Sequence, residues 1–446
     1  MPLITPGFPP EKMELVIGLS RIMFLSPFFL GLSAIFSSVL QSYRKFLIYS
    51  LAPLLYNLGI IFGALFLVEP FGVYGLAWGV VIGALAHMII QLLPIFSVGF
   101  KYRFDFNFRD KNVIAVAKMM VPRTVSLAVS QINFVVITIV ASTLAVGSLA
   151  VFNLSNNLQS FPLGVFGVSL GVAALPVLSA LAAKKKMKDF ITTLSATFRQ
   201  TLFFIVPISI LLYVLRAQIV RVILGSGRFD WQDTRLTAAC LAIFCLGLFA
   251  QGAYPLVIRG FYALHNTKTP FYIGLATMVI NLAGLLFFRW VFSWENYFSF
   301  ATVALLRLSD LSGAVDLRVL ALPAAITVSS IFELLVLLIA LRRKIGRLDG
   351  RKIFSSTWRI AFASLGGGLI AYFLLQLTDR YVPTEKVWGL FTQGFIAGIF
   401  GLAGYAAIGF IFHLEEMFIF ISSLKRRLFK SAVVMAEDSI AEGDKS

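Results

Sequence analysis

The sequence predicts an all-α protein, a polytopic membrane bundle of about eleven transmembrane helices. Three observations carry that prediction. Hydrophobic residues make up 59% of the chain and charged residues only 13%, too few charges for a soluble fold of 446 residues. Apolar runs recur along the whole length, each at least as long as the about 20 residues that a helix needs to cross a bilayer. The charges collect in short segments between those runs, and mean hydropathy is +0.89.

Residues 1–14 are Pro-rich and read as an external tail, without the basic region and cleavage site of a secretory signal. Apolar spans follow at 15–40, 46–68, 73–97, 113–144, 147–183, 190–224, 235–263, 270–292, 319–341, 355–378 and 387–413. Between the eighth and ninth, 293–318 is polar enough for an external loop carrying a short surface helix. Residues 414–446 begin amphipathic and basic and end acidic and polar, as expected of a cytoplasmic tail with an inner-surface helix. Tyr102, Trp231, Trp290, Trp294, Tyr297, Trp358, Tyr381 and Trp388 fall near span ends, the pattern of an interfacial aromatic belt.

Loop charge sets the expected orientation. Odd-numbered loops are basic: Arg44 and Lys45, then Lys101, Arg103, Arg109 and Lys111, then Lys184, Lys185, Lys186 and Lys188, then Lys268, then six bases against Asp349 in 342–352. Even-numbered loops are neutral or balanced, as with Arg228 against Asp230 and Asp233. The positive-inside rule therefore places the odd loops and the C-terminus in the cytoplasm and the N-terminus outside. The net charge of +17 is accounted for by these loops, so nucleic acid is not an expected partner. Cys240 and Cys245 lie in one apolar run, and His87, His265 and His413 are scattered, so neither a disulfide framework, a metal site nor a cofactor is expected. No phosphate-binding, zinc-protease or nucleophile-elbow motif occurs, which argues against an enzyme.

Function is expected where polarity enters the apolar spans. Asn153, Asn156, Asn157 and Ser160 are spaced i, i+3, i+4, i+7 and share a helix face, which Gly164, Gly167 and Gly171 roughly continue. Such a stripe faces other helices or a wet cavity, so it reads either as helix packing or as the lining of a substrate path. In the preceding span Arg123, Ser126, Ser130 and Asn133 occupy roughly one face, reading as mutual hydrogen bonding or as a groove open to the cytoplasm. Arg123 is then the attractor for an anionic head group, with snorkelling as the competing account. Arg21 and Arg259 sit near span ends, where snorkelling is as good an explanation as ligand binding. Glu333 is an acid inside the ninth span, and a candidate for coupling to a cation or proton. Pro122, Pro162, Pro207 and Pro255 each free the carbonyl four residues earlier, marking static kinks or, with Gly164 and Gly167, hinges.

In its order of motifs the sequence resembles the MurJ/MviN lipid II flippase family of the MOP exporter superfamily. The resemblance rests on Arg21-Ile22-Met23-Phe24, Ala52-Pro53-Leu54-Leu55-Tyr56-Asn57, Tyr74-Gly75-Leu76-Ala77-Trp78-Gly79 and Ser130-Gln131-Ile132-Asn133. It is strongest at Phe161-Pro162-Leu163-Gly164-Val165-Phe166-Gly167-Val168 followed by Leu175-Pro176-Val177-Leu178-Ser179. It continues through Gly227-Arg228-Phe229, Gly260-Phe261-Tyr262-Ala263 and Thr267-Lys268-Thr269-Pro270. The resemblance implies a two-lobe bundle with two extra C-terminal helices, in which the eleven spans match the family's fourth to fourteenth and the first three are absent. Residues 15–98 then read as the remnant of an N-lobe, 99–112 as a cytoplasmic linker, 113–341 as a C-lobe of six helices and 342–413 as the two extra helices. Where the family usually has an Asp-Arg pair, Asn156 and Asn157 stand here, and Asn266 replaces a loop acid.

The resemblance implies export of an undecaprenyl-diphosphate-linked peptidoglycan precursor across the bacterial cytoplasmic membrane by alternating access. The implied partners are that anionic lipid, membrane lipids and cell-wall synthesis proteins. Two alternatives stay open at this point: a flippase or exporter for another polyprenyl-linked glycan or small molecule, and a non-transporting scaffold or inactive fragment.

Overall fold

The structure, a computed structural model, describes residues 3–43, 45–97, 110–225, 227, 229–294, 296–306, 308, 316–346, 348–381 and 387–422. Among these the regular elements are all helical. By packing the chain divides into two units, Met1–Thr143 and Leu144–Ser446, one helix later than the 99–112 linker.

The first unit holds α1 (Pro10–Met23), α2 (Leu25–Ser42), α3 (Phe46–Phe62), α4 (Val68–Phe71), α5 (Val73–Ser97) and α6 (Lys111–Ser142). A π-helical turn, Gly63–Leu67, joins α3 to α4. Glycines let α3 and α5 touch backbone to backbone: a Cβ on Gly63 would crowd Gly79, and one on Gly79 would lie 2.6 Å from the Gly63 Cα. Without a hydrophobic drive in lipid, such close approach is a main source of helix adhesion. Polar side chains fasten α2 to α5. The Ser33 hydroxyl and His87 Nδ1 lie 2.8 Å apart, Gln91 Nε2 donates to Ser33 Oγ at 2.9 Å, and Ser37 donates to Gln91.

The second unit holds α7 (Ser148–Pro162), a π-helical turn (Leu163–Val168), α8 (Ser169–Ala183), α9 (Met187–Val214), α10 (Arg216–Leu224), α11 (Trp231–Ala263), α12 (Lys268–Val291), α13 (Tyr297–Leu306), α14 (Ala321–Ile345), α15 (Gly350–Asp379) and α16 (Val387–Ile411). Gly147, at φ 95°, makes the turn into α7, and Gly346, at φ 87°, closes α14. A reciprocal cap starts α11, with the Asp233 amide donating to Asp230 at 2.8 Å and the Asp230 amide to Asp233 at 3.3 Å. The core gathers where α9, α11 and α14 meet, around Phe190, Leu194, Phe198, Phe261, Leu337 and Leu341.

Ten helices among the described residues are long and apolar enough to cross a membrane. The fourth expected span corresponds to α6, 32 residues long, whose apolar described portion is Gln131–Ser142. The span expected at 190–224 is instead broken at Leu215. There the Arg216 guanidinium donates to the Tyr213 carbonyl at 2.8 Å, satisfying the end of α9 and letting the chain turn. In the polar segment 293–318, Asn296 and Ser299 exchange backbone-to-side-chain bonds of 2.8 and 3.0 Å and start α13. Trp231, Trp290, Trp294, Tyr297, Trp358, Tyr381 and Trp388 are all exposed; Tyr102 lies outside the described residues.

Candidate functional site

The polar face expected in the fifth span runs along α7. Asn157 and Ser160 are exposed, Asn153 and Asn156 half-buried. The Ser160 hydroxyl turns back on the Asn156 carbonyl at 2.7 Å, leaving its own lone pairs outward. A relay of amides continues inward: Gln159 Nε2 donates to Asn156 Oδ1 at 3.0 Å, and Gln251 Nε2 of α11 lies 3.4 Å from Gln159 Oε1. Gln159 is fully buried, so the relay fixes Asn156 from beneath while Asn157 and Ser160 stay exposed above.

Pro162 ends α7, and the chain passes through the π turn before α8 begins. One π turn inserts an extra residue into the helical register, shifting every later side chain around the axis by about 100°. Gly164 accordingly remains on open space, whereas Gly167 and Gly171 face α11. A Cβ on Gly167 would lie 2.7 Å from the Gly252 carbonyl oxygen, and one on Gly171 would collide with Arg259. The face expected to run on roughly through Gly164, Gly167 and Gly171 therefore splits after Gly164.

The π turn loosens backbone hydrogen bonds, and two side chains take up its carbonyls. Ser169 Oγ donates to the Gly164 carbonyl at 3.0 Å. Arg259 Nη1, half-buried on α11, lies 3.4 Å from the Val168 carbonyl and 3.3 Å from the Pro255 carbonyl. Among the described residues Arg259 is thus a cation held by neutral carbonyls, one of them eight residues after Ser160 in the chain. Phe166 of the same turn stacks on Phe204 of α9 with centroids 4.9 Å apart.

The other expected residues fall as follows. Pro207 lies inside α9, and the Phe203 carbonyl it frees accepts a 2.9 Å hydrogen bond from the Tyr405 hydroxyl of α16. Pro255 sits in α11 beside Arg259. Glu333 of α14 is half-buried, with Gly274 of α12 leaving room beside its carboxylate. Arg21 is exposed in the last turn of α1, and Asn133 is half-buried in α6, both in the first unit. The side chains of Pro122, Arg123 and Ser130 lie outside the described residues. Gln159, Gln251 and Ser169 were not singled out from the sequence. A Gln one position off the Asn face is the signal that would have found the first.

Near the start of α14, Asp316 grips Arg318 through bonds of 2.7 and 2.9 Å and accepts the Ala145 amide at 3.1 Å. Burial alone would raise the Asp316 carboxyl, but the Arg318 and Ala145 donors and the Arg318 charge outweigh it and hold it below the usual carboxylate range.

With this geometry in view, comparison with known proteins is specific. A family model described as lipid II flippase MurJ matches residues 1–392. The chain is 30% identical over 283 residues to the "Probable lipid II flippase MurJ" of Bdellovibrio bacteriovorus, a match covering 63% of this chain and 54% of that one. It is 28% identical over 277 residues to the "Lipid II flippase MurJ" of Burkholderia cenocepacia, covering 61% and 54%. The match thus spans about half the length of these curated relatives. Among solved structures, a lipid II flippase MurJ in an inward closed conformation superposes with a TM-score of 0.70 at 25% identity, covering 92% of this chain and 77% of that one.

Proposed function

The chain belongs to the lipid II flippase MurJ family, and from that premise we propose that it works in moving lipid II, the polyprenyl-diphosphate-linked peptidoglycan precursor, across the bacterial cytoplasmic membrane. The reading makes it a transporter and not an enzyme. One observation supports it above others: an uncharged polar face, Asn157 and Ser160, opens from the middle of an apolar span directly before a π turn. In hydrocarbon that exposure is costly, and it is relieved when hydroxyl- and amide-rich head groups lie against it. Arg259 supplies the matching cation. Its two carbonyl contacts are neutral and long, so a diphosphate oxygen displaces them at little cost. The π turn and Pro162 let α7 tilt against α8 as the site alternates between the two sides of the membrane. Within the first unit Arg21, Arg123, Ser130 and Asn133 remain the substrate-contact candidates read from the sequence, and Pro122 there and Pro255 in the second unit serve as further bends.

In this scheme Glu333 carries the coupling charge. Moving one charge through 100 mV supplies about 2.3 kcal/mol, enough to bias a two-state cycle. Glu333→Gln then leaves substrate binding intact and removes the dependence of transport on membrane potential or pH gradient; retained dependence excludes it. Cell-wall synthesis proteins that make or consume the precursor are the partners this role calls for. Asn156 and Asn157, neutral where a charged pair is usual, favour as a second reading a flippase for a different polyprenyl-linked glycan. Complementation of a flippase-depleted bacterium by the gene decides. Growth restored, and lost again in Asn157→Leu/Ser160→Leu, supports lipid II; no restoration by stably inserted protein rejects it.

A further inference from the structure

A polar cavity lies apart from the α7 face and plays no part in the proposed transport. It occupies about 970 Å³ between α9, the end of α14, the start of α15 and the helical turn after α16. Arg199, Arg342, Arg351, Lys352 and Arg359 line it, with Asp349, Glu415 and Glu416 as its acids. Those acids do not balance the cations. Arg199 consumes both glutamates, one at 3.0 Å, and buried Glu416 also accepts from Ser356 at 2.9 Å. The Arg199 Nε is itself buried without a hydrogen-bond partner. Arg342, Arg351 and Lys352 have no ion-pair partner among the described residues, and Arg359 reaches only the Phe412 carbonyl at 3.4 Å.

Two further features select the ligand. The first turn of α15, a helix of 30 residues, lines the same space, and Asp349 at its N-cap makes no side-chain capping bond. A helix N-terminus ringed by spare cations favours an anion with several acceptor oxygens. Phe354 and Trp358 stand exposed on α15 one and two turns further on, with Trp358 packed edge-on to Phe362 at 4.2 Å. Exposed aromatics at that height mark the membrane interface, so the cavity lies at headgroup depth. Basic pockets between membrane helices at this depth hold anionic lipid head groups.

We propose that this cavity is a phosphate-binding site that takes the headgroup of an anionic membrane phospholipid, held by Arg342, Arg351, Lys352, Arg359 and the first turn of α15. Its occupant offsets the like charges that the end of α14 and the start of α15 bring to this cavity. The site stands independently of the transport reading and is tested without it.

The test uses the purified full chain in nanodiscs of phosphatidylcholine with and without spin-labelled phosphatidylglycerol. The immobilised lipid fraction is the readout. Arg342→Gln/Arg351→Gln removes two cavity cations, while Arg343→Gln/Lys344→Gln removes equal charge from the same segment outside the cavity. Both pairs are exposed, so neither strips a buried partner. The expected result is about a tenfold loss of phosphatidylglycerol affinity in the first pair, equivalent to about 1.4 kcal/mol, and less than about twofold in the second. Equal losses would show diffuse surface attraction and overturn the site, as would no loss. A second arm adds excess inorganic phosphate. If phosphate saturates the cavity and phosphatidylglycerol is not immobilised, the lipid assignment is overturned in favour of a soluble phosphate.

Discussion

Arg259 is the residue on which charge and backbone geometry converge. It lies beside Gly171, reaches the Val168 carbonyl at the close of the π turn, and follows Pro255 by one helical turn. Arg259→Ala is expected to lower transport by roughly tenfold or more, and Arg259→Lys to restore little, because a planar fork spans two oxygens where an ammonium does not. A vesicle flipping assay with matched expression measures both. Asp316 gives a second expectation. Its folded carboxyl is held below its unfolded value, so its contribution to stability is complete above about pH 4 and disappears as pH falls through the folded value. Thermal unfolding in detergent from neutral to acid pH should show that loss, and Asp316→Asn should flatten it. A wild-type curve already flat in this range counts against the Asp316 contacts.

Among the elements, α9 shows how a membrane helix carries a proline without penalty. The carbonyl freed by Pro207 is taken by Tyr405, so this kink is fixed from another helix. Tyr405→Phe should cost about 1 kcal/mol, and much less in a Pro207→Ala background where α9 closes its own bond. Equal costs in both backgrounds would disprove the pairing. Spans and loops were legible in the sequence because length, hydropathy and charge alternate on a scale that local fluctuation does not blur. The two π turns were not: Gly63–Leu67 and Leu163–Val168 are as apolar as their flanks, and one inserted residue changes phase without changing composition. That is why Asn156, Asn157 and Ser160 were placed correctly on one face while Gly167 and Gly171 turned to α11. The break at Leu215 was hidden likewise, since its cause is a single arginine cap inside an apolar run.

For the whole molecule, the expectation that composition carried furthest is multi-pass membrane insertion, and ten described helices meet its length and hydropathy. The sidedness expected from loop charge is directly measurable. Single cysteines at Lys185 and Arg343 should be protected from impermeant thiol reagents in intact cells, and one at Gln232 labelled, since it follows an acidic turn that the charge rule assigns to the other side. Labelling of all three alike would refute the assignment. The Tyr405–Phe203 bond also has a consequence for biogenesis. The two residues are 202 positions apart, so at ordinary translation rates α9 waits about 10–40 s for its clasp to be synthesised. During that interval a bare carbonyl sits in the nascent bundle, and the segment that finally covers it leaves the ribosome long after α9. Early termination before Tyr405 would therefore injure a helix whose own codons were read correctly long before.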